Sequence, residues 1–170
     1  IREFAKQDPS NKDVSYITYE NHNHENHWFV NINAPLKLGK IINFQNNITA
    51  VRQCIQTDAG DKYMNHNLIF ISSIADINLP KKSSIELEYN MHNQLYSGNS
   101  SIESRNILNI KAKKTLCNDN ILLTAGVDNI LNASNRYQCL LNEYLIKNST
   151  IMGSTGRKII LSITYNFKTG

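Results

Sequence analysis

The 170-residue chain is poor in the residues that mark several protein classes. Its three cysteines, Cys54, Cys117 and Cys139, are far apart and odd in number, so neither a disulfide framework nor a paired-cysteine zinc site is indicated. Seven glycines and three prolines exclude collagen-like and linker-rich chains. Charged residues make up only 19%, and 18 Lys+Arg against 14 Asp+Glu leave a formal charge of +4, too weak and too dispersed for a nucleic-acid surface. No apolar run approaches the roughly 18 residues of a membrane-spanning helix. No GxSxG, HExxH or phosphate loop occurs, and no carboxylate pair stands in a catalytic setting, so neither an enzyme nor a cofactor is expected. The residues present include no basic-then-apolar leader.

What is abundant is asparagine, 25 residues, and isoleucine, 22. Hydrophobic residues reach 41%, too many for a disordered chain. Asparagine competes for backbone hydrogen bonds and so disfavours long helices. The dominant pattern is two-residue alternation, the period of a strand. Trp28, Val30, Ile32, Ala34, Leu36 and Leu38 alternate with Phe29, Asn31, Asn33, Pro35 and Lys37. Ile42, Phe44, Ile48 and Ala50 alternate with Asn43, Gln45, Asn47 and Thr49. The same holds for Ile85, Leu87, Tyr89 and Met91; for Leu108, Ile110 and Ala112; for Ile121, Leu123, Ala125 and Val127; and for Ile159, Leu161, Ile163, Tyr165 and Phe167. The stretch from Leu68 to Leu79 is less regular.

Connections alternate in length. Short ones fall at Leu38–Lys40, Pro80–Ser83 and Cys117–Asn120, and longer ones at Cys54–Asn65, Ser97–Ser104 and Leu131–Thr155. Short turn and long loop in alternation predict an antiparallel up-and-down meander whose two ends meet different environments. Each run is close to the roughly 9–11 residues with which a tilted strand crosses a bilayer. Two architectures fit an alternating pattern: a transmembrane β-barrel, and a soluble or surface-attached β-sandwich used for binding or adhesion. The interleaved residues, rich in Asn, Gln, Ser and Thr, suit a wet lumen better than a sandwich exterior.

Four stretches then resemble a known family. Leu79-Pro80-Lys81 is similar to a periplasmic turn, and Asp128-Asn129-Ile130-Leu131-Asn132 to the Asp-Asn motif that ends the penultimate strand, of TonB-dependent outer-membrane receptors of the type common in Bacteroidetes. Arg157 to Phe167 resembles their closing strand, and Tyr19-Glu20-Asn21 followed by Trp28 to Leu38 resembles a long descending strand. Two departures stand out: Leu131 replaces an aromatic, and Lys168-Thr169-Gly170 follow the terminal aromatic.

The resemblance implies an all-β chain of about eight strands, with residues 1–170 forming the C-terminal section of a larger barrel of 22 strands. The plug domain and the N-terminal strands would lie outside it. It implies TonB-coupled uptake of a large nutrient such as a siderophore, cofactor or glycan. Outer-membrane lipid, the plug, the remaining strands, the TonB system through the plug, and the barrel-assembly machinery become the expected partners. Trp28, Val30, Ile32, Ile42, Phe44, Ile85, Leu87, Tyr89, Leu108, Ile110, Leu123, Val127, Ile159, Leu161, Ile163, Tyr165 and Phe167 would face lipid. Trp28 would sit at the outer interface and Tyr165 and Phe167 at the inner one. The motif residues are Leu79, Pro80, Lys81, Asp128, Asn129, Asn132 and Arg157.

Three further clusters stand out. His22, His24 and His27 are dense enough to bind a transition metal, although a strand would point His27 away from the other two, and a solvated strand end is the plainer reading. Tyr137, Leu140, Leu141, Tyr144 and Leu145 fit a short amphipathic helix, or, as the plainer reading, a loop or β-extension that packs its apolar residues inward. Glu86, Glu88, Lys111 and Lys113 are expected to pair across adjacent strands inside the lumen.

Overall fold

The computed structural model describes residues 2–11, 13–20, 24–56, 63–97, 100–134, 136–140, 146–150 and 156–167, and every regular element among them is a strand. The strands are β1 (Arg2–Gln7), β2 (Ser15–Glu20), β3 (His24–Asn33), β4 (Leu36–Leu38), β5 (Ile42–Gln56), β6 (Tyr63–Leu79), β7 (Ser83–His92), β8 (Leu95–Ser97), β9 (Ser100–Ile102), β10 (Arg105–Leu116), β11 (Ile121–Asp128), β12 (Arg136–Leu140), β13 (Ile146–Thr150) and β14 (Lys158–Tyr165). The main sheet is antiparallel, in the order β14-β11-β10-β7-β6-β5-β3, with β4 also on β5. Each strand pairs with its sequence neighbour in that sheet, which is the expected meander. Strands β1 and β2 form a separate hairpin.

Strands β3 and β4 follow one register along β5, with Asn33 opposite Asn47 and Leu36 opposite Phe44. Pro35, which has no N–H, interrupts them. The ladder to β5 survives the interruption because the N–H that Pro35 lacks would point to the side away from β5. Ala34 N–H still donates to Asn46 O at 2.9 Å.

Where the alternation predicts long loops, the structure holds more strands. β5 runs on to Gln56 and β6 begins at Tyr63. Strands β8 and β9 continue the β7–β10 ladder: His92 lies opposite Arg105 and, three residues further on each strand, Leu95 lies opposite Ile102. Likewise Asp128 lies opposite Lys158, and eight residues further Arg136 lies opposite Thr150, so β12 and β13 extend the β11–β14 ladder. These extensions lack clean alternation because neither face meets a strongly apolar medium there, so β-pairing continues without its sequence signature.

The three tight turns lie at one end of the sheet. All use left-handed backbone: Gly39, Lys81 and Lys82, and Cys117, Asn118 and Asp119 have φ between 51° and 73°. Their positions form a staircase. The register row through Leu38 and Ile42 meets β6 and β7 at Ile77 and Ile85, two residues short of their Leu79–Ser83 end. The same row meets β10 and β11 at Ala112 and Ala125, four residues short of their Leu116–Ile121 end. A stagger of one residue per strand, ~3.3 Å along against ~4.8 Å across, amounts to a tilt of roughly 35°. Membrane barrels have strands tilted by about 35–45°.

Almost nothing apolar is buried. Among the described residues only Ile55 and Ala75 form a hydrophobic core, while Ile159, Leu161 and Ile163 are 77–80% exposed. A two-layer sandwich would cover such a face, and among the described residues no second layer covers this one.

Candidate functional site

The candidate site is the wall itself, and the register assigns its two faces. Cross-strand partners share a face, and neighbours along a strand take opposite faces. One row runs Leu36–Phe44–Ala75–Leu87–Ile110–Val127–Ile159, and the row below it runs Leu38–Ile42–Ile77–Ile85–Ala112–Ala125–Leu161. Trp28, Val30, Ile32, Tyr89, Leu108, Leu123, Ile163 and Tyr165 lie on the same apolar face. Phe167 follows β14 on the same parity and packs edge-on against Tyr165, ring centroids 4.7 Å apart.

Several polar groups on this face are tied down. Ser73 Oγ donates to Asn46 Oδ1 at 2.6 Å, and Asn46 Nδ2 donates to Ala34 O at 3.0 Å. Tyr89 OH donates to Asn106 Oδ1 at 3.0 Å. The alternation is read up to Lys113 on β10, but the strand reaches Leu116, which places Lys114 on the apolar face. Arg52 also falls on that face, opposite Trp28. Lys114 Nζ bends to the turn end, donating to Lys81 O and to Ser83 Oγ. The signal for Lys114 was the parity of Leu116, two residues on.

The opposite face carries most of the polar side chains, with Phe29, Val51, Phe70, Ile74, Leu122 and Ile160 set among them. On β3 and β5, side-chain amides and a hydroxyl form a ladder: Asn31 Nδ2 donates to Thr49 Oγ1 at 2.6 Å and Asn47 Nδ2 to Asn33 Oδ1 at 2.6 Å. Below it a groove of about 630 Å³ is lined by residues that include Lys37, Asn43, Gln45, Ser72 and Asp76. Further round, Glu86 takes hydrogen bonds from Lys111 and Lys113, and Glu88 takes them from Asn90 Nδ2 at 2.7 Å and Asn109 Nδ2 at 3.0 Å. Both carboxylates are therefore satisfied within the wall, although Glu88 is held by amides rather than by lysine. Gly126 is needed here: a Cβ on it would meet Ile110 O at 2.5 Å and Lys111 Cγ at 2.8 Å, so its absence lets Lys111 lie across β11.

The motif residues occupy turns and a clamp. Leu79 ends β6, and Pro80 and Lys81 form the following turn. Asp128 ends β11. Asn129 and Asn132 take left-handed backbone, φ 53° and 55°. Asn129 is 6% exposed. Its N–H donates to Asn109 Oδ1 at 2.8 Å, its Nδ2 donates to Ala133 O at 2.8 Å and Gly156 O at 3.2 Å, and its Oδ1 accepts from Ala133 N–H at 2.9 Å. Arg157 Nε donates to Ile130 O at 2.9 Å. The clamp absorbs a register change. Ile110 lies opposite Val127, but eight residues outward on that side Ile102 lies opposite Tyr137, ten residues from Val127. Two extra residues are thus accommodated where the barrel ladder passes into the outer hairpins. Asn109, which holds Asn129 from the neighbouring strand, carries no sequence signal of that role.

His24 and His27 fall on opposite faces of β3, and His22 lies outside the described residues. His27 Nε2 lies 2.6 Å from Glu25 Oε1, which also accepts from Gln53 Nε2 at 3.0 Å. Among the described residues no cluster of three His, Cys, Asp or Glu could hold a metal. The helical alternative for Tyr137 and Leu140 is overturned: both lie in β12, paired with β13 and β9, because inter-strand hydrogen bonds are available on both sides. Leu141, Tyr144 and Leu145 lie outside the described residues.

A single tilted antiparallel sheet with an exposed apolar face and a hydrogen-bonded polar face is the wall of a transmembrane β-barrel, and the sandwich alternative falls with the missing second layer. The chain belongs to the outer membrane protein beta-barrel family, whose family model matches residues 2–165. Its place is the bacterial outer membrane. No curated protein and no solved structure matches it.

Proposed function

We propose that the chain is the C-terminal wall of a TonB-dependent receptor, working in energy-coupled import of a large nutrient such as a siderophore, cofactor or glycan. The observation that carries this reading is the open, staggered sheet. Strands β3/β4 and β14 are its edges among the described residues, and the one-residue stagger continues across it without closing. Backbone groups cannot stay unpaired in hydrocarbon, so both edges need further strands, and a wide lumen results. Leu79-Pro80-Lys81, the Asn129 clamp and Arg157 stand at a tight turn, at the exit of β11 and at the entry of β14, where a receptor of this kind has its motifs. In this role the wall is a scaffold. It anchors in lipid, presents amides and paired charges to a plug, and carries the outer hairpins that meet substrate.

The test is genetic and uses the whole protein. Deleting the gene should abolish growth on one scarce nutrient, and a protonophore should stop uptake of that nutrient in the wild type. Uptake that persists without proton-motive force would leave a passive channel and refute the coupling.

A further inference from the structure

We propose that the apolar face carries a binding site for an anionic phospholipid, with its phosphate on Lys114 and one acyl chain in the groove above it. This rests on the apolar face meeting lipid, as in the reading above, and goes beyond it by naming a site. The groove holds about 640 Å³ and spans β7, β10, β11 and β14. Its floor is set by two small residues in register, Ala112 opposite Ala125, both exposed. Leu123, Leu161 and Ile163 rise around them. A notch of two alanines among leucines and isoleucine is shaped for a hydrocarbon chain rather than for a flat bilayer contact.

The head of the groove is cationic. Lys114 lies in the row of Ser83 and Leu123, beside the 80–82 turn and two residues above the end of β10. Its ammonium has three donors. The acceptors the described residues give it, Lys81 O and Ser83 Oγ, are both neutral, so its charge is left uncancelled. Lys81 adds a second positive charge on the adjoining turn, whereas Lys82 is paired with Asp119 at 2.7 Å. A cation fixed at headgroup depth, with a donor to spare and an alkyl-lined notch leading away from it, is complementary to a lipid phosphate. The 35° tilt puts Lys114 level with Tyr165, two strands away and one residue lower per strand, which is the depth expected of interfacial side chains.

The experiment uses the whole protein, extracted in mild detergent, delipidated, and titrated with dioleoylphosphatidylglycerol or dioleoylphosphatidylcholine. Retained lipid is counted by native mass spectrometry. One phosphatidylglycerol should be retained, with a preference over phosphatidylcholine of about fivefold, the factor expected of one surface charge. Lys114→Gln should erase the preference. Ala112→Phe combined with Ala125→Phe should fill the notch and prevent retention of either lipid. Glycerol 3-phosphate, a headgroup without chains, should not displace the lipid. Equal retention of the two lipids by the wild type, an unchanged preference in Lys114→Gln, displacement by glycerol 3-phosphate, or a change in oligomeric mass showing that a second copy covers the groove would each overturn the proposal. If the double alanine variant fails to fold, Lys114→Gln decides alone. Heat-modifiable gel mobility, followed in parallel, separates loss of this site from failure of the barrel reading.

Discussion

Leu161 and Ser162 are neighbours on β14 with opposite faces, so one charge placed at each position tests the wall directly. Leu161 is 80% exposed on the apolar face and lies four residues above Tyr165. At ~3.3 Å per residue and a tilt of roughly 35°, that is about 11 Å above the aromatic pair, near the middle of an apolar belt about 25 Å tall. An arginine at that depth should cost about 2–4 kcal/mol, or roughly 30- to 900-fold in the folding equilibrium. Ser162 faces the lumen, where Ser162→Arg stays in water and should cost under about 0.5 kcal/mol. The assay is folding of the whole protein from urea into lipid vesicles, scored as the heat-modifiable fraction on cold gels. Leu161→Arg should lower the urea midpoint markedly and Ser162→Arg should leave it in place. Equal effects, or a larger effect at Ser162, would refute the assignment of faces and the transmembrane reading with it.

Three further outcomes follow from the geometry. Gly126→Val should lower the folded yield, by about 1–3 kcal/mol on the same urea assay, because its Cβ collides with Ile110 O, which is backbone and cannot swing aside. Glu86→Gln removes the anion shared by Lys111 and Lys113; with side chains 21–32% exposed, the loss should be about 1 kcal/mol or less and should shrink when salt is raised, read from urea midpoints at two ionic strengths. Asn129→Asp keeps the acceptor for Ala133 N–H but loses the donors to Ala133 O and Gly156 O, so limited proteolysis between β11 and β14 should quicken while heat-modifiability is retained; Asn129→Ala should act in the same direction and more strongly.

The sheet was legible in the sequence where lipid imposes a two-fold contrast. From Trp28 to Leu38, from Ile85 to Met91 and from Ile159 to Tyr165 the apolar residues alternate mainly with Asn, Glu, Ser, Thr or Lys, with Phe29, Pro35 and Ile160 as exceptions, and those runs are β3/β4, β7 and β14. Legibility fails where the contrast fades. Beyond the bilayer both faces are wet, so β8, β9, β12 and β13 read as loops although their ladders continue the wall. At the turn end, Lys114 breaks the parity of β10, because its long stem stays among apolar neighbours while the ammonium reaches Lys81 O. The Asn129 clamp was visible as a motif, but its mechanism was not. Five hydrogen bonds made by Asn129, Asn109, Ala133, Gly156, Arg157 and Ile130 converge there from segments up to 48 residues apart.

The near absence of a buried core locates the source of stability. With only Ile55 and Ala75 buried as apolar residues among those described, the hydrophobic term that folds a soluble domain is not supplied inside the protein. It is supplied by transferring the apolar face into lipid, while the ladders remove backbone polar groups from that same lipid. The two contributions are inseparable, since a strand without its ladder cannot enter hydrocarbon and a ladder without hydrocarbon leaves Ile159, Leu161 and Ile163 in water. Strand pairing and insertion must therefore proceed together, beginning from edges that already have a partner. The β14 and β3/β4 edges are where that requirement is most acute, and Pro35 lies on one of them. A proline at an edge denies a hydrogen bond to whatever strand adds there, so the next strand on the β3/β4 side must pair along β3 above Pro35 and cannot nucleate at that residue.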